Sequence, residues 1–213
     1  MLNLAEELLL LALDDDEGWI VESALDTLRH GMAAAVLADL ALHNRIVVED
    51  GRLHVFDAGP TGDELLDTAL KRLDESDKPR KVKYWLNALG FRKLPRHVVQ
   101  RLTELGLLRE EDRRYYWIAP NAVYPQPDAP AKYWIKNELR AAGLTLNKPE
   151  RRNIVLLSLL RGCRLLGLVF TRDERKAAVK RVEELAKDED FGEAVAQTLA
   201  DIEAATAKAA SRE

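Results

Sequence analysis

The chain has 213 residues, 47% of them hydrophobic and 32% charged, which is the composition of a soluble globular protein long enough to bury a full core and excludes wholesale disorder. Its one cysteine, Cys163, excludes a disulfide framework and a zinc cluster and points to a reducing compartment, so secretion is not expected. The net charge is −4, yet ten cations stand against three anions between Lys71 and Arg101, a basic island that reads either as solvated helix faces or as a surface for an anionic partner.

Leu2 to Leu13 is apolar at helical spacing and stops at the acidic run Asp14 to Glu17 and Gly18, which predicts a short buried helix. Ser23 is the expected N-cap of a long helix reaching about His43, whose small apolar run Met32 to Leu37 belongs in the core. Arg45 to Glu49 and Arg52 to Phe56 flank Asp50-Gly51 and predict a β-hairpin. Thr61 and Glu64 have the spacing of a capping box ahead of Leu65, Leu66, Ala69 and Leu70. A phosphate loop at Pro60 to Glu64 is the weaker alternative, because its Lys-Ser/Thr pair is missing. A helix from Lys81 to Leu89 closes at Gly90, and Pro95 opens another that closes at Gly106.

A second hairpin is predicted from Leu107 to Arg109 and Arg114 to Ile118 around Glu110 to Arg113. The two helix-plus-hairpin units align at an offset of 62 residues, with Leu40, Ile46, Glu49, Asp50 and Arg52 falling on Leu102, Leu108, Glu111, Asp112 and Arg114. That is a recurring supersecondary unit rather than a proven repeat. Pro120, Pro125, Pro127 and Pro130 then make a loop, and helices are expected at about 128–142, 149–168, 172–187 and 189–203. The Ala-rich end over 204–213 is expected to fray. The fold class is therefore mainly α: a single helical domain over 1–203, with a buried central helix, surrounding amphipathic helices and two small β-hairpins. The longest apolar runs fall far short of the roughly 20 residues of a spanning helix, and no signal segment precedes them, so membrane contact is expected to be peripheral.

No catalytic residue, metal site or cofactor is expected, because His30, His43, His54 and His97 lack ligand spacing and no Ser/His/Asp or Cys/His grouping assembles. Cys163, set among Leu157, Leu159, Leu160, Leu165 and Leu166, reads as a buried structural thiol. The acidic run at 14–17 lacks the spacing and glycine of a calcium loop and reads as a solvated loop. Tyr115, Tyr116, Trp117 and Ile118 are consecutive, so strand alternation puts apolar side chains on both faces of the second hairpin. One face can pack on the domain; the other can enter a lipid interface, fold back onto a helix layer or meet another subunit. The basic island upstream favours lipid, since each Lys or Arg near an anionic leaflet contributes on the order of 1 kcal/mol; Tyr124, Tyr133 and Trp134 follow close by.

A winged helix is the competing reading, with Arg96, Gln100 and Arg101 turned toward DNA. Against nucleic acid stand the net acidity and the wing tip Glu110-Glu111-Asp112, which would meet phosphate with like charge.

Ala5 to Leu13, Asp16 to Gly18, Ala38 to Ile46, Pro60 to Asp67 and Leu102 to Leu108 strongly resemble the Golgi phosphoprotein 3 family in order and spacing, and the likeness continues through Arg151-Arg152, Asp173-Glu174-Arg175 and Arg181-Val182. Pro60-Thr61-Gly62-Asp63 followed by Leu65-Leu66-Asp67 is its most specific piece. Without the long N-terminal arm of eukaryotic members, the chain looks like a short bacterial form. The resemblance implies a mainly helical, non-enzymatic adaptor, peripheral on the cytoplasmic face of a membrane. Such a protein binds phosphoinositide headgroups, phosphatidylinositol 4-phosphate above all, and inserts a hydrophobic β-hairpin into the bilayer. Glycosyltransferase tails or other membrane proteins are its implied clients, and some members oligomerise. Arg114 to Tyr124 falls on the inserting hairpin, with Tyr115, Tyr116, Trp117 and Ile118 as the wedge. Arg92 matches one headgroup-binding position and Pro95 falls on another with Arg96 adjacent, so the implied headgroup set is Arg92, Lys93, Arg96 and His97. A Trp and an Arg of the family's pocket fall near Ser23 or Ala24 and on Ala33, leaving Trp19 or Arg29 as substitutes and the headgroup's identity open.

Overall fold

The structure, a computed structural model, describes residues 1–14, 20–25, 27–90, 93–108, 129–145, 147–185 and 193–210. The apolar N-terminal segment becomes α1, Leu4–Ala12, opened by a capping box that the sequence reading did not use. The Asn3 side chain accepts the Glu6 N–H at 3.0 Å while the Glu6 carboxylate accepts the Asn3 N–H at 2.7 Å. Beside it runs α2, Leu28–Leu42, buried from Gly31 through Ala41. The two helices are antiparallel: the Leu4 N–H donates to Asp39 at 2.6 Å, and a Cβ on Gly31 would lie 3.0 Å from Leu8 Cδ2. That Cβ would also lie 2.9 Å from Cys163 Sγ, so glycine is what lets the chain at Cys163 close on the pair.

The long helix starts later than Ser23. Val21 donates to the Ala12 carbonyl at 2.9 Å and Ile20 pairs with Leu13, which holds the chain against the end of α1 through a single 3-10 turn, Glu22–Ala24. Only after Thr27 can α2 begin. Its other end is a left-handed stop at Asn44 (φ 54), with Arg45 donating back to Leu40 at 2.8 Å.

The first hairpin forms as expected, β1 Ile46–Glu49 against β2 Arg52–Val55, with Glu49 opposite Arg52 and both turn residues, Asp50 and Gly51, at positive φ. A third strand, β3 Arg80–Lys81, joins the free edge of β2 and makes an antiparallel sheet of order β1-β2-β3. Lys81 therefore belongs to a strand, and α4 spans Val82–Gly90. Of the second predicted hairpin, residues 109–118 lie outside the described residues.

Between β2 and β3 comes α3, Glu64–Asp74, capped by Asp63 in place of the expected Thr61. The Asp63 carboxylate accepts the Leu65 and Leu66 N–H groups at 2.9 and 3.1 Å, where an anion also suits the helix dipole. Thr61 has another use: its N–H and hydroxyl both donate to Asp67, at 2.6 and 2.7 Å. Burial opposes the charge on Asp67, but these Thr61 donors hold its carboxyl below its ordinary pKa. Arg45 pairs with Asp57 and donates to the Pro60 carbonyl at 3.0 Å, so the Pro60 to Asp67 motif is a clamped loop and helix start, with no phosphate cradle.

The remaining helices are α5 Lys93–Glu104, α6 Ala129–Leu144, α7 Arg151–Gly162, α8 Arg175–Leu185 and α9 Glu193–Ala210. Gly106 (φ 71) ends α5 as predicted, with Leu107 donating to Leu102 at 2.9 Å. The same device stops α7 short of the expected 168: Arg164 takes φ 63 and Leu165 donates to Leu160 at 2.7 Å, before a 3-10 turn at Leu166–Leu168. Conversely, α9 runs on through Ala210, past the point where fraying is expected, because Ile202, Thr206 and Ala209 share a buried face. The described residues thus form a mainly helical fold around the buried α1 and α2, and none of their helices is long and apolar enough to cross a membrane.

Candidate functional site

The course of five helices brings separate stretches of sequence to one end of the α1–α2 pair. Because α1 and α2 are antiparallel, Leu13 and the first turn of α2 share that end. Gly90, the last residue of α4, sits there too: a Cβ on it would be 3.0 Å from the Arg29 carbonyl, and His30 Nε2 lies 3.1 Å from Asn87 Oδ1. From Gly90 the chain passes into α5, which runs toward the opposite end, since Arg101 reaches Glu6 in the first turn of α1. The first turn of α5 therefore stands by Arg29. Lys132, in the first turn of α6, is only 4% exposed and donates its ammonium to the Leu13 carbonyl, which brings the start of α6 to the same end.

Of the expected headgroup residues, Lys93 opens α5, and Arg96 and His97 are exposed on its first two turns. Arg92 lies outside the described residues, as do Trp19 and the hairpin residues Tyr115, Tyr116, Trp117 and Ile118. Arg29, half-buried, is adjacent to the α4–α5 junction. Ala33 is fully buried, its Cβ 3.7 Å from where a Cβ on Gly90 would lie, so this position serves a close α2–α4 contact.

The basic island divides on folding. Lys71 stays on α3 facing Glu75, while Arg80 bonds Asp77 at 3.0 Å and lies 5.2 Å over the Tyr84 ring. Arg101 turns inward, pairing with Glu6 at 2.7 Å and Asp63 at 3.0 Å. Gln100 donates to Glu104 at 2.8 Å. The DNA-binding reading turns Arg96, Gln100 and Arg101 outward together; Arg96 and Gln100 are exposed, whereas Arg101, roughly 140° around α5 from Arg96, is committed to Glu6 and Asp63.

At the opposite end of the α1–α2 pair lies a buried polar lattice that the sequence reading missed. Arg152 pairs with Asp39 at 3.0 Å and with Glu7 at 3.2 Å, and also donates to the Leu2 carbonyl. Burial pushes the carboxyls of Glu6 and Asp39 upward, against the lowering effect of their hydrogen bonds and arginines. It pushes Glu7 up to about 7 despite Arg152. Two adjacent glutamates inside an otherwise apolar helix were the available signal, since a buried carboxylate requires a partner. Cys163 is fully buried as expected, and burial foremost, with Glu203 nearby, pushes its thiol up to about 12. No group of His, Cys, Asp and Glu among the described residues could hold a metal ion.

The class defined by this fold and end is a mainly helical protein with a cationic helix start set on a buried antiparallel pair. Residues 4–202 match the family model described as Golgi phosphoprotein 3 (GPP34), and the chain belongs to that family. It is 25% identical over 224 residues to vacuolar protein sorting-associated protein 74 of Eremothecium gossypii, an alignment covering 86% of this chain and 67% of that relative.

Proposed function

We propose that this chain is a non-enzymatic peripheral adaptor that works as one domain on the cytoplasmic face of a membrane. Anionic headgroups, phosphatidylinositol 4-phosphate or a chemically related lipid, are held by Arg92, Lys93, Arg96 and His97. Tyr115, Tyr116, Trp117 and Ile118 wedge into the interface, and membrane proteins such as glycosyltransferases are the clients. The observation that carries this reading is the gathering of the α5 first turn and Arg29 at one end of the α1–α2 pair, cations on a chain that is acidic overall. Family membership supports it. Cations and a few interfacial aromatics each bind weakly, so the two elements act together, and oligomers would add avidity.

The test is co-sedimentation with liposomes of graded phosphatidylserine content, with and without phosphatidylinositol 4-phosphate, beside a gel shift with random duplex DNA. Binding that rises with anionic lipid, falls with salt and ignores DNA supports the proposal, and a further rise with the phosphoinositide identifies the headgroup. Absence of binding to every vesicle would sink it. Replacing Tyr116 and Trp117 by Ala should weaken vesicle binding with the fold intact.

A further inference from the structure

Two arginines from different helices fasten the N-terminal corner, and each is shared by two carboxylates. Arg152 of α7 pairs with Asp39 of α2 at 3.0 Å and with Glu7 of α1 at 3.2 Å. Arg101 of α5 pairs with Glu6 of α1 at 2.7 Å and with Asp63, the cap of α3, at 3.0 Å. When all are ionised, four carboxylates face two guanidiniums, and Glu6 and Asp39 are at most 1% exposed, so water screens the excess poorly. His43, the other titratable group facing Asp39, has its ring Nδ1 2.8 Å from the Asp39 carbonyl. The same groups hold the chain end: Asp39 accepts the Leu4 N–H at 2.6 Å, Arg152 donates to the Leu2 carbonyl, Asp63 accepts from the Asn3 side chain at 3.3 Å, and Glu6 accepts the Asn3 N–H at 2.7 Å. Met1 is fully exposed, so the residues gripped here lie next to a free chain end.

We infer that this corner is a proton-operated latch on the N-terminus: with a proton on Glu7 the lattice holds residues 2–4 against α2, α7 and the start of α3, and loss of that proton loosens them while the rest of the fold stays closed. A carboxyl that shares its only cation and is mostly buried favours its neutral form, and burial raises Glu7 to about 7 despite Arg152, with Asp39 and Glu6 adding in the same direction. Ionised, it leaves one guanidinium between two full negative charges, and opening of the first turn of α1 lets it reach water. Because the carboxyl titrates near 7 in the closed corner and near 4.5 in the open one, the stabilisation is complete below about pH 4.5 and is lost as pH rises through about 7. Leu4, fully buried, opposes opening, so the closed corner dominates at either pH and the proton sets how rare the open form is.

The experiment is native-state hydrogen exchange on the full chain and on Glu7→Gln at about pH 5.5 and 8.5, each rate divided by its intrinsic rate, with and without dilute urea. In the parent, the amides of Leu4, Glu6 and Glu7 should exchange faster than those of Ala34 to Leu37 in the middle of α2, and dilute urea should leave their rates unchanged, as a local opening requires. Their protection should fall roughly thirtyfold from the lower pH to the higher, and Glu7→Gln should remove most of that fall. Should the variant misfold, a carboxyl carbon NMR titration of the parent serves instead, with Glu7 expected to titrate near 7. The inference is overturned if the corner amides exchange only together with those of α2, if their protection is the same at both pH values, if Glu7→Gln shows the parent's full fall, or if Glu7 titrates near 4.5.

Discussion

Glu7 lies against Arg152, its side chain 15% exposed, and its carboxyl is raised from 4.5 to about 7. At about 1.4 kcal/mol per pH unit, the ionised form costs the folded state about 3 kcal/mol relative to the protonated one. Because the folded value is above the unfolded one, the folded state holds the extra proton. The stability it confers is complete below about pH 4.5 and is lost as pH rises through about 7. Glu6, Asp39 and Glu203, also raised chiefly by burial, act in the same direction. The parent should therefore be less stable at pH 8 than at pH 5, and Glu7→Gln should reduce that difference by about 3 kcal/mol. Urea unfolding of both proteins at several pH values reads this as the gap between two curves of midpoint against pH. Parallel curves would refute the reasoning, since they would mean that Glu7 titrates alike in the folded and unfolded chains.

Arg101→Met leaves the fully buried Glu6 carboxylate without its cation and should cost about 3 kcal/mol in urea unfolding, whereas Arg96→Met should cost less than about 0.5 kcal/mol. Gly31→Ala pushes a methyl group against Cys163 and Leu8 and should destabilise by about 1–3 kcal/mol; Cys163→Ala in the same chain should recover part of the loss, measured as a double-mutant cycle. The Cys163 thiol, buried and raised to about 12, should resist a thiol-specific disulfide reagent at pH 8 until denaturant is added, and rapid labelling of the native protein would contradict its placement.

The parts of the fold legible in the sequence are those fixed by local chemistry. Asp50-Gly51 sets a tight hairpin wherever it lies between two apolar-alternating runs, and Gly106 ends a helix through its own φ preference. The misreadings arise where a distant partner decides. The residues of β3 have no strand pattern and take their conformation from the open edge of β2. Thr61 looks like a cap until Asp67, six residues on, claims its hydroxyl. Arg164 carries no hint of the left-handed conformation that stops α7. At the candidate site, Arg96 and Arg101 are indistinguishable as letters, and helical phase sends one outward and the other to Glu6. That Arg29, the start of α5 and the start of α6 share one end follows from the directions of five helices, which no local pattern contains.

The fastening of the N-terminus bears on how this protein can be handled. Leu2, Asn3 and Leu4 are gripped by Arg152, Asp63 and Asp39, side chains from three other parts of the chain, while Met1 is fully exposed. The nine residues of α1 rise about 14 Å between that corner and Leu13. A dye, an affinity handle or a surface tether joined at residue 1 would thus emerge from the opposite pole to the start of α5. Immobilised by that point, the molecule would turn the start of α5 away from the support.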